Sequence, residues 1–452
     1  MVEVLYHGKS QRPIKYCRCK KPLTLSESLF SGIFGLVPGP KTQPMRYGFD
    51  GSMSRPVLES YLARAITMTG LLQGHGHFED NLRMLKAIGA RFIGRSIYHW
   101  GAEGKLAESL SKGRVYAERI HAAIPELILQ AGIFEIVTRE VEAIPIPEPV
   151  FEAFSLPPGK RAFRYADMIF SDGLYVDYWG PGRSVPDITR LESQMWLFYL
   201  AASYIIIGVE AIHFGQIMLM GRNDPQLTNW WVLLSRVRRY ASRYASRHFV
   251  LCDAHVSSGV GCYGLPDDAS LAPGGYLVGD RLLLDLHALP LRIKEVPGKP
   301  YQTELQVGHL DALYGRSEGG ITPSGWSCDH LPYLVEFDNW GSSGQGGESV
   351  AGWLGELQGI NDLFWIWGYD EICWFAHQSE AERNAWLWYA WRWVREHDPN
   401  GFVQMPGLRG LADPVDGIHE YYANTRSAAC PEGQNQEETI KAIWEANASD
   451  SN

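Results

Sequence analysis

Residues 91–123 read RFIGRSIYHWGAEGKLAESLSKGRVYAERIHAA and contain, in order, a strand, a loop and a helix. Residues 91–98 form a short apolar run, which is typical of a strand buried on both faces of a parallel sheet. Residues 106–123 carry apolar side chains at a spacing near 3.6, which predicts an amphipathic helix. A strand followed by such a helix is the unit that builds a parallel sheet with helices outside it.

The same unit recurs along the chain in both directions. Strands are predicted at residues 67–73, 91–98, 126–134, 209–216, 248–255, 281–289, 333–340 and 363–369. Helices are predicted at residues 78–88, 106–123, 187–206, 228–246 and, after the last strand, 380–396. Eight such strands predict the α/β class and a (β/α)8 TIM barrel with long loops at its C-terminal rim.

The domain boundaries follow from where this unit starts and stops. We expect one catalytic barrel domain at residues 55–406, an N-terminal extension at residues 1–54, and a C-terminal extension with a partly flexible tail at residues 407–452. A length of 452 residues fits a single decorated barrel.

The net charge and the absence of long apolar runs narrow the classes of partner. A formal net charge of -10 argues against nucleic acid, because binding to phosphates requires clustered Lys and Arg. No window has the apolar length of a membrane span or a signal peptide, so no membrane partner is expected. We therefore expect a soluble, cytoplasmic protein as the sequence stands, or a secreted or periplasmic one if a signal peptide was trimmed.

Polar side chains collect where the predicted strands end, and the carboxyl ends of barrel strands carry the catalytic groups. Burying so many polar groups is costly unless they share one site, so we predict a common cleft. The residues expected to bind substrate hydroxyls there are Arg95, His99, His213, Gln216, His255, Asp285 and His287. Trp100, Trp340 and Trp367 are expected to stack against sugar rings, which makes a glycoside, an oligosaccharide or a polysaccharide the predicted partner.

Cleavage of a glycosidic bond needs one carboxylic acid and one carboxylate. Glu336 and Asp338 alternate onto one face of a predicted strand and are the candidates for nucleophile or base. Glu371 or Asp253 is the candidate acid, and Asp370 lies beside Glu371 at the next strand end. We therefore predict a glycosidase that needs no cofactor.

Residues 55–406 resemble the barrel glycoside hydrolases whose acid/base Glu follows strand four and whose nucleophile Glu follows strand seven. Glu336 matches the nucleophile position, with Asp338 as its competitor. The match fails on strand four, because Glu210 lies at its beginning and His213 and Gln216 at its end. That departure favours an inverting arrangement, or one based on Asp, that uses Asp253, Asp338 or Glu371.

Two alternatives compete with this interpretation. The chain also resembles metal-dependent barrel hydrolases of the amidohydrolase type, which place HxH after strand one, single His residues after strands five and six, and Asp after strand eight. That resemblance implies a metal held by His75, His77, His255, His287 and Asp370. The second alternative is a carbohydrate-binding barrel without catalytic activity, since fold alone does not establish an enzyme.

Overall fold

The computed structural model describes residues 48–256, 276–290, 292–295, 303–306, 316–337 and 371–449. Within these ranges the protein is a mixed α/β structure with a central, mostly parallel sheet. Its strands are β1 (Ala65–Met68), β2 (Phe92–His99), β3 (Ile128–Ile133), β4 (Ala211–His213), β5 (Leu251–Asp253), β6 (His287–Pro290), β7 (Tyr333–Glu336) and β8 (Gly401–Val415).

Helices follow or precede most of these strands. The α-helices are Arg55–Leu62, Phe78–Ile88, Leu106–Ala123, Glu148–Ala153, Leu191–Ile206, Ile217–Met220, Thr228–Tyr244, Glu371–Ala376, Glu380–His397 and Glu437–Ser449. Short 3-10 helices lie at Leu71–Gln73, Glu103–Lys105, Arg139–Ala143 and Tyr165–Asp167. Short strands outside the central sheet are Val137–Thr138, Arg183–Ser184, Leu277–Val278, Arg281–Leu282, Arg292–Glu295, Thr303–Gln306, Gly320–Ile321 and Ser327–Cys328.

The parallel strands are ordered β6-β7-β8-β1-β2-β3-β4-β5, so each lies beside its neighbours in sequence, and β8 pairs with β1. The strand Ile418–Tyr422 pairs antiparallel with the outer part of β8. The two strands that end this order also meet. A parallel bridge joins His255, just after β5, to Ala288 of β6, and the N–H of Ala288 donates to the carbonyl of Ala254 at 3.1 Å.

The main apolar core lies between the sheet and its helices. Helix Leu191–Ile206 is apolar on nearly all sides, and fourteen of its residues are buried. A smaller cluster, which includes Phe49, Tyr61 and Phe249, lies by the amino-terminal end of the strands. Burial of apolar surface on both sides therefore holds the strands in place and directs their carboxyl ends to the opposite rim.

Helices Phe78–Ile88 and Leu106–Ala123 have the predicted bounds, and strands β2 to β7 lie within or close to their predicted segments. The first strand ends earlier in the chain than predicted, because Gly70 and Gly74, both at positive φ, bracket a 3-10 helix at Leu71–Gln73.

The eighth strand differs from its prediction. The predicted segment 363–369 lies outside the described residues, and the position beside β1 belongs to β8. Helix Glu380–His397 therefore precedes the last strand of the sheet, whereas the sequence pattern placed it after that strand. The predicted domain boundary at 406 falls inside β8.

In the described ranges, no helix combines the length and apolar composition that crossing a bilayer requires.

Candidate active site

Five buried polar side chains, each from a different parallel strand of the central sheet, form one hydrogen-bonded group. Arg95 of β2 donates from Nη2 to Oε2 of Glu336 at the end of β7, at 2.5 Å. Gln130 of β3 accepts from the N–H of Arg95 at 3.2 Å and donates to Oδ1 of Asp253 of β5 at 2.7 Å. His213 of β4 places Nδ1 2.7 Å from Oδ2 of Asp253. We call these five residues the buried polar cluster.

A local irregularity of β2 directs Arg95 into this cluster. The register of β2 against β3 shifts between Ile93 and Ile97, and Arg95 has a positive φ of 53°. Such a bulge turns a side chain away from its regular alternation, at some conformational cost for a residue with a Cβ. A Cβ at the neighbouring Gly94 would collide with the side-chain amide of Gln404 on β8, so a larger residue there would displace that amide.

The two carboxylates of the cluster have different surroundings. Burial raises the pKa of Asp253, and the negative charge of Glu336 adds to that effect, while His213 opposes it. Burial alone would lower the pKa of His213. The adjacent Asp253 carboxylate opposes burial through its charge and its hydrogen bond, and the pKa of His213 is raised overall. The His213–Asp253 pair therefore retains a proton strongly and titrates as a unit. Glu336, in contrast, faces the cation of Arg95.

A third carboxyl group lies just after β3. Glu135 accepts from the backbone N–H of Gln216 at 3.0 Å and from its side-chain amide at 2.9 Å. Burial raises the pKa of Glu135, although the hydrogen bonds from Gln216 oppose the change. The side-chain amide of Gln216, which the sequence predicts to bind substrate, therefore already donates to Glu135.

The other predicted polar residues occupy three kinds of surroundings. His255 stands edge-on to His213, with ring centroids 4.7 Å apart, and so borders the cluster. His287 stacks on Tyr333, and burial lowers its pKa to about 3. Asp285 points to helix Thr228–Tyr244, where it accepts from Arg238 at 2.9 Å.

Two open depressions lie at the carboxyl ends of β1, β2 and β8, and both are lined by His75 and Tyr98. One, of about 410 Å³, is also lined by Trp100 and His99. The other, of about 530 Å³, is lined by Glu420 and Glu432 among others. Among the described residues, neither depression is lined by Glu336 or Asp253.

Aromatic contacts hold Trp100 at the edge of the depression of about 410 Å³. Its ring packs edge-on against Trp179, at a centroid distance of 5.0 Å, and lies 5.7 Å from the ring of Phe134. Trp179 in turn donates from Nε1 to the carbonyl of Glu135 at 2.8 Å. His99 nearby is mostly buried, which lowers its pKa to about 4.

Several predicted site residues lie outside the described part of the chain, namely Asp338, Trp340, Trp367 and Asp370. Glu371 begins helix Glu371–Ala376, and only its backbone is described.

The four described residues of the predicted metal set do not form one group of possible ligands. His75 lies 3.6 Å from Glu420 and His77 lies 2.9 Å from Glu432, whereas His255 lies just after β5 and His287 begins β6. Across the described ranges, the one group of three donors close enough to share a metal is His77, Cys430 and Glu432.

Sequence reasoning missed Gln130 and Gln404, which sit within strands rather than at their ends. Both are fully buried. The available signal was the presence of a lone amide in an apolar strand such as ILQAGI, because a buried amide needs a hydrogen-bonding partner.

No protein-family model matches the chain, and no curated protein matches it either. The chain is similar over part of its length to the solved isomalto-dextranase of Arthrobacter globiformis, with 11% identity, a TM-score of 0.31, and coverage of 56% of this chain and 43% of that one. It is also similar to a β-L-arabinopyranosidase from Geobacillus stearothermophilus, with 13% identity, a TM-score of 0.29, and coverage of 51% and 54%.

A third similar structure is the α-galactosidase from Lactobacillus brevis, with 10% identity, a TM-score of 0.24, and coverage of 44% of this chain and 27% of that one. All three are glycoside hydrolases by name, and the chain spans 27–54% of their lengths. Identities and TM-scores at this level establish neither a family nor a shared mechanism, so the function has to be inferred from the residues of this chain.

Proposed function

We propose that the chain is a glycoside hydrolase built on a closed eight-stranded barrel. Support for closure comes from both ends of the strand order, where the His255–Ala288 bridge joins β5 to β6. The Arg95–Glu336 pair adds to this support, because β2 and β7 are three strands apart in the sheet order. Neighbouring strands lie about 4.8 Å apart, so a flat sheet would hold those two strands about 14 Å from each other.

The observation that carries the proposal is that two carboxyl groups with different partners, Asp253 and Glu336, lie in one buried cluster. Burial raises the pKa of Asp253, and Asp253 shares a proton with His213; we assign Asp253 to pass that proton to the leaving glycosidic oxygen. Glu336 is paired with the guanidinium of Arg95, and we assign it the role of nucleophile or of the base that activates water. The depression lined by Trp100 and Tyr98 supplies aromatic surface for a sugar at the carboxyl ends of the strands.

The first test replaces Glu336 with its amide. Turnover of a panel of nitrophenyl glycosides by the Glu336→Gln variant should fall about 10²–10⁴-fold, because the substitution removes the charge and keeps the shape. The affinity for the product sugar, measured by calorimetry, should change little. Asp338→Asn and Glu371→Gln are assayed alongside, because the sequence nominates the same roles for these residues.

A matched control exists at the other end of the strands. Glu210 is as buried as Glu336 and is paired with an equally buried arginine, Arg247. Glu210→Gln should lower the free energy of unfolding without lowering turnover per folded molecule, because Glu210 lies at the start of β4. Equal turnover losses in the Glu210 and Glu336 variants, or none in either, would count against a catalytic Glu336.

The role of Asp253 as the acid has its own signature. Wild-type turnover should fall as the pH rises through the pKa of the His213–Asp253 pair, because the pair then loses its proton. Asp253→Asn should abolish this dependence and hydrolyse nitrophenyl glycosides slowly. It should still cleave dinitrophenyl glycosides, whose leaving group departs without protonation. A variant that is equally slow on both substrates would refute the assignment.

A further inference from the structure

A second group of reactive side chains lies outside the buried polar cluster. His77 directly precedes helix Phe78–Ile88, while Cys430 and Glu432 lie in the loop between strand Ile418–Tyr422 and helix Glu437–Ser449. One ligand atom from each of the three residues lies within 4.8 Å of the other two. The imidazole Nε2 of His77 is 2.9 Å from Oε2 of Glu432.

We propose that His77, Cys430 and Glu432 bind a divalent transition metal, with Zn²⁺ as the best match. Imidazole, thiolate and carboxylate are the side chains that Zn²⁺ takes in proteins. Mg²⁺ and Ca²⁺ prefer sites made entirely of oxygen, so the sulfur of Cys430 selects against them.

The spacing of the donors suits such an ion. With metal–ligand bonds of about 2.0–2.3 Å, the donors of a tetrahedral zinc site lie about 3.3–3.8 Å apart. The observed separations, from 2.9 Å between His77 and Glu432 up to a limit of 4.8 Å, bracket that range. The side chains of His77 and Glu432 are each 36% exposed and can adjust by rotation, whereas Cys430 is fully buried.

Contacts that involve no metal already hold both segments in place. Arg83, one turn into helix Phe78–Ile88, bonds Asp80 at 2.6 Å and Glu437 at 2.7 Å, and so ties the two parts of the chain together. Within the loop, the N–H of Cys430 donates to Oγ of Ser427 at 3.2 Å. The metal would therefore bind to a preformed site, and variants of its ligands should still fold.

Three protein ligands leave one tetrahedral position for water or for a ligand from solution. Glu432 lines the depression of about 530 Å³, together with His75, Glu420 and Tyr422. The fourth position is therefore expected to face this open depression. This metal site does not depend on the glycosidase activity proposed above.

The test uses the full chain, stripped with a chelator, dialysed and titrated with Co²⁺ as a spectroscopic substitute for Zn²⁺. We expect one equivalent of Co²⁺ to produce a cobalt–thiolate absorption band, and added Zn²⁺ to remove it. Cys430→Ser should abolish the band. His77→Gln and Glu432→Gln should weaken binding by more than the 10–100-fold that changes in outer-shell partners cause.

Cys328→Ser is the matched control, because Cys328 is a half-buried cysteine on the short strand Ser327–Cys328, distant in sequence from all three ligands. It should bind Co²⁺ as the wild type does. Failure of the wild type to form the band, or an unchanged band in Cys430→Ser, would overturn the proposal. Glycoside hydrolysis is not part of this readout, so that result would leave the proposed function standing.

Discussion

Two buried arginine–glutamate pairs lie at opposite ends of the parallel strands and differ in their surroundings. Arg247 holds Glu210 and also donates to the hydroxyl of Tyr61 at 3.0 Å and to the carbonyl of Leu127 at 3.3 Å. These extra bonds offset the cost of removing the charges from water. Arg95, whose partner is Glu336, sits at a strained position of β2 instead, which is typical of a functional residue.

His287 provides a prediction about acid stability. Its pKa in the folded protein is lowered by burial to about 3, well below that of an unfolded chain. As the pH falls from about 6.5, the unfolded state therefore binds a proton that the folded state does not bind. This lowers the free energy of unfolding by up to about 1.4 kcal/mol per pH unit. His287→Phe should flatten the dependence of unfolding free energy on pH between about 6.5 and 4, measured by urea denaturation.

The same variant should be less stable at neutral pH, because Ser317 loses the acceptor for its N–H, which lies 3.4 Å from Nε2 of His287. An unchanged slope below pH 6.5 would mean that His287 takes up its proton in the folded protein.

Most members of the buried polar cluster could be named from the sequence. His213, Asp253 and Glu336 end their strands and Arg95 lies within β2, and the carboxyl ends of parallel strands converge. Their pairing could not be predicted, because it depends on the bulge of β2 and on the long-range contact with Gln130.

Among the elements, β8 differs most from the sequence-based prediction, because the position beside β1 belongs to residues 401–415. Its sequence, GFVQMPGLRGLADPV, contains Pro406 and Gly407, which normally argue against a central strand. The structure accommodates them at a register shift, where Thr67 pairs with Pro406 and Met68 with Leu408. A proline lacks the N–H that a regular ladder needs, so it is tolerated at such an irregularity.

The helix before β8 supplies an element-scale prediction. Helix Glu380–His397 begins with a capping box, in which Ser379 accepts from the N–H of Glu382 and the Glu382 side chain accepts from the N–H of Ser379. Ser379→Ala should reduce the unfolding free energy by about 1 kcal/mol, measured by urea denaturation, because the N–H of Glu382 loses its acceptor and the Glu382 carboxylate loses the hydroxyl donor.

Ser242→Ala is the control for this measurement, since Ser242 lies exposed within helix Thr228–Tyr244 and caps nothing. Its stability should stay within about 0.5 kcal/mol of the wild type. Equal losses in the two variants would show that the box contributes nothing specific.

At the scale of the whole molecule, the proposed closure of the sheet matters most for the proposed site. An open sheet leaves its last strands with unpaired backbone groups, whereas a barrel has no such edges. The junction between β5 and β6 contains two backbone hydrogen bonds, from Asp285 to Cys252 at 2.9 Å and from Ala288 to Ala254 at 3.1 Å.

Hydrogen exchange can test closure. The amides of Asp285 and Ala288 should be as protected as that of Phe214, which bonds Asp253 at 2.7 Å within the sheet, because all three then open with the barrel. Exchange followed by fragment mass spectrometry measures this. Amides at 285 and 288 that exchange orders of magnitude faster than the one at 214 would indicate an open sheet.

The pairing of β1 with β8 also governs how the protein can be made. Ile66 pairs with Met405, so roughly 340 residues must leave the ribosome before β1 gains this neighbour. At about 5–20 residues per second, that wait lasts on the order of 20–70 s. Throughout it, a strand whose residues are all buried in the finished protein keeps the backbone N–H and C=O groups of one edge unpaired. Production in cells should therefore depend on chaperones that shield nascent chains.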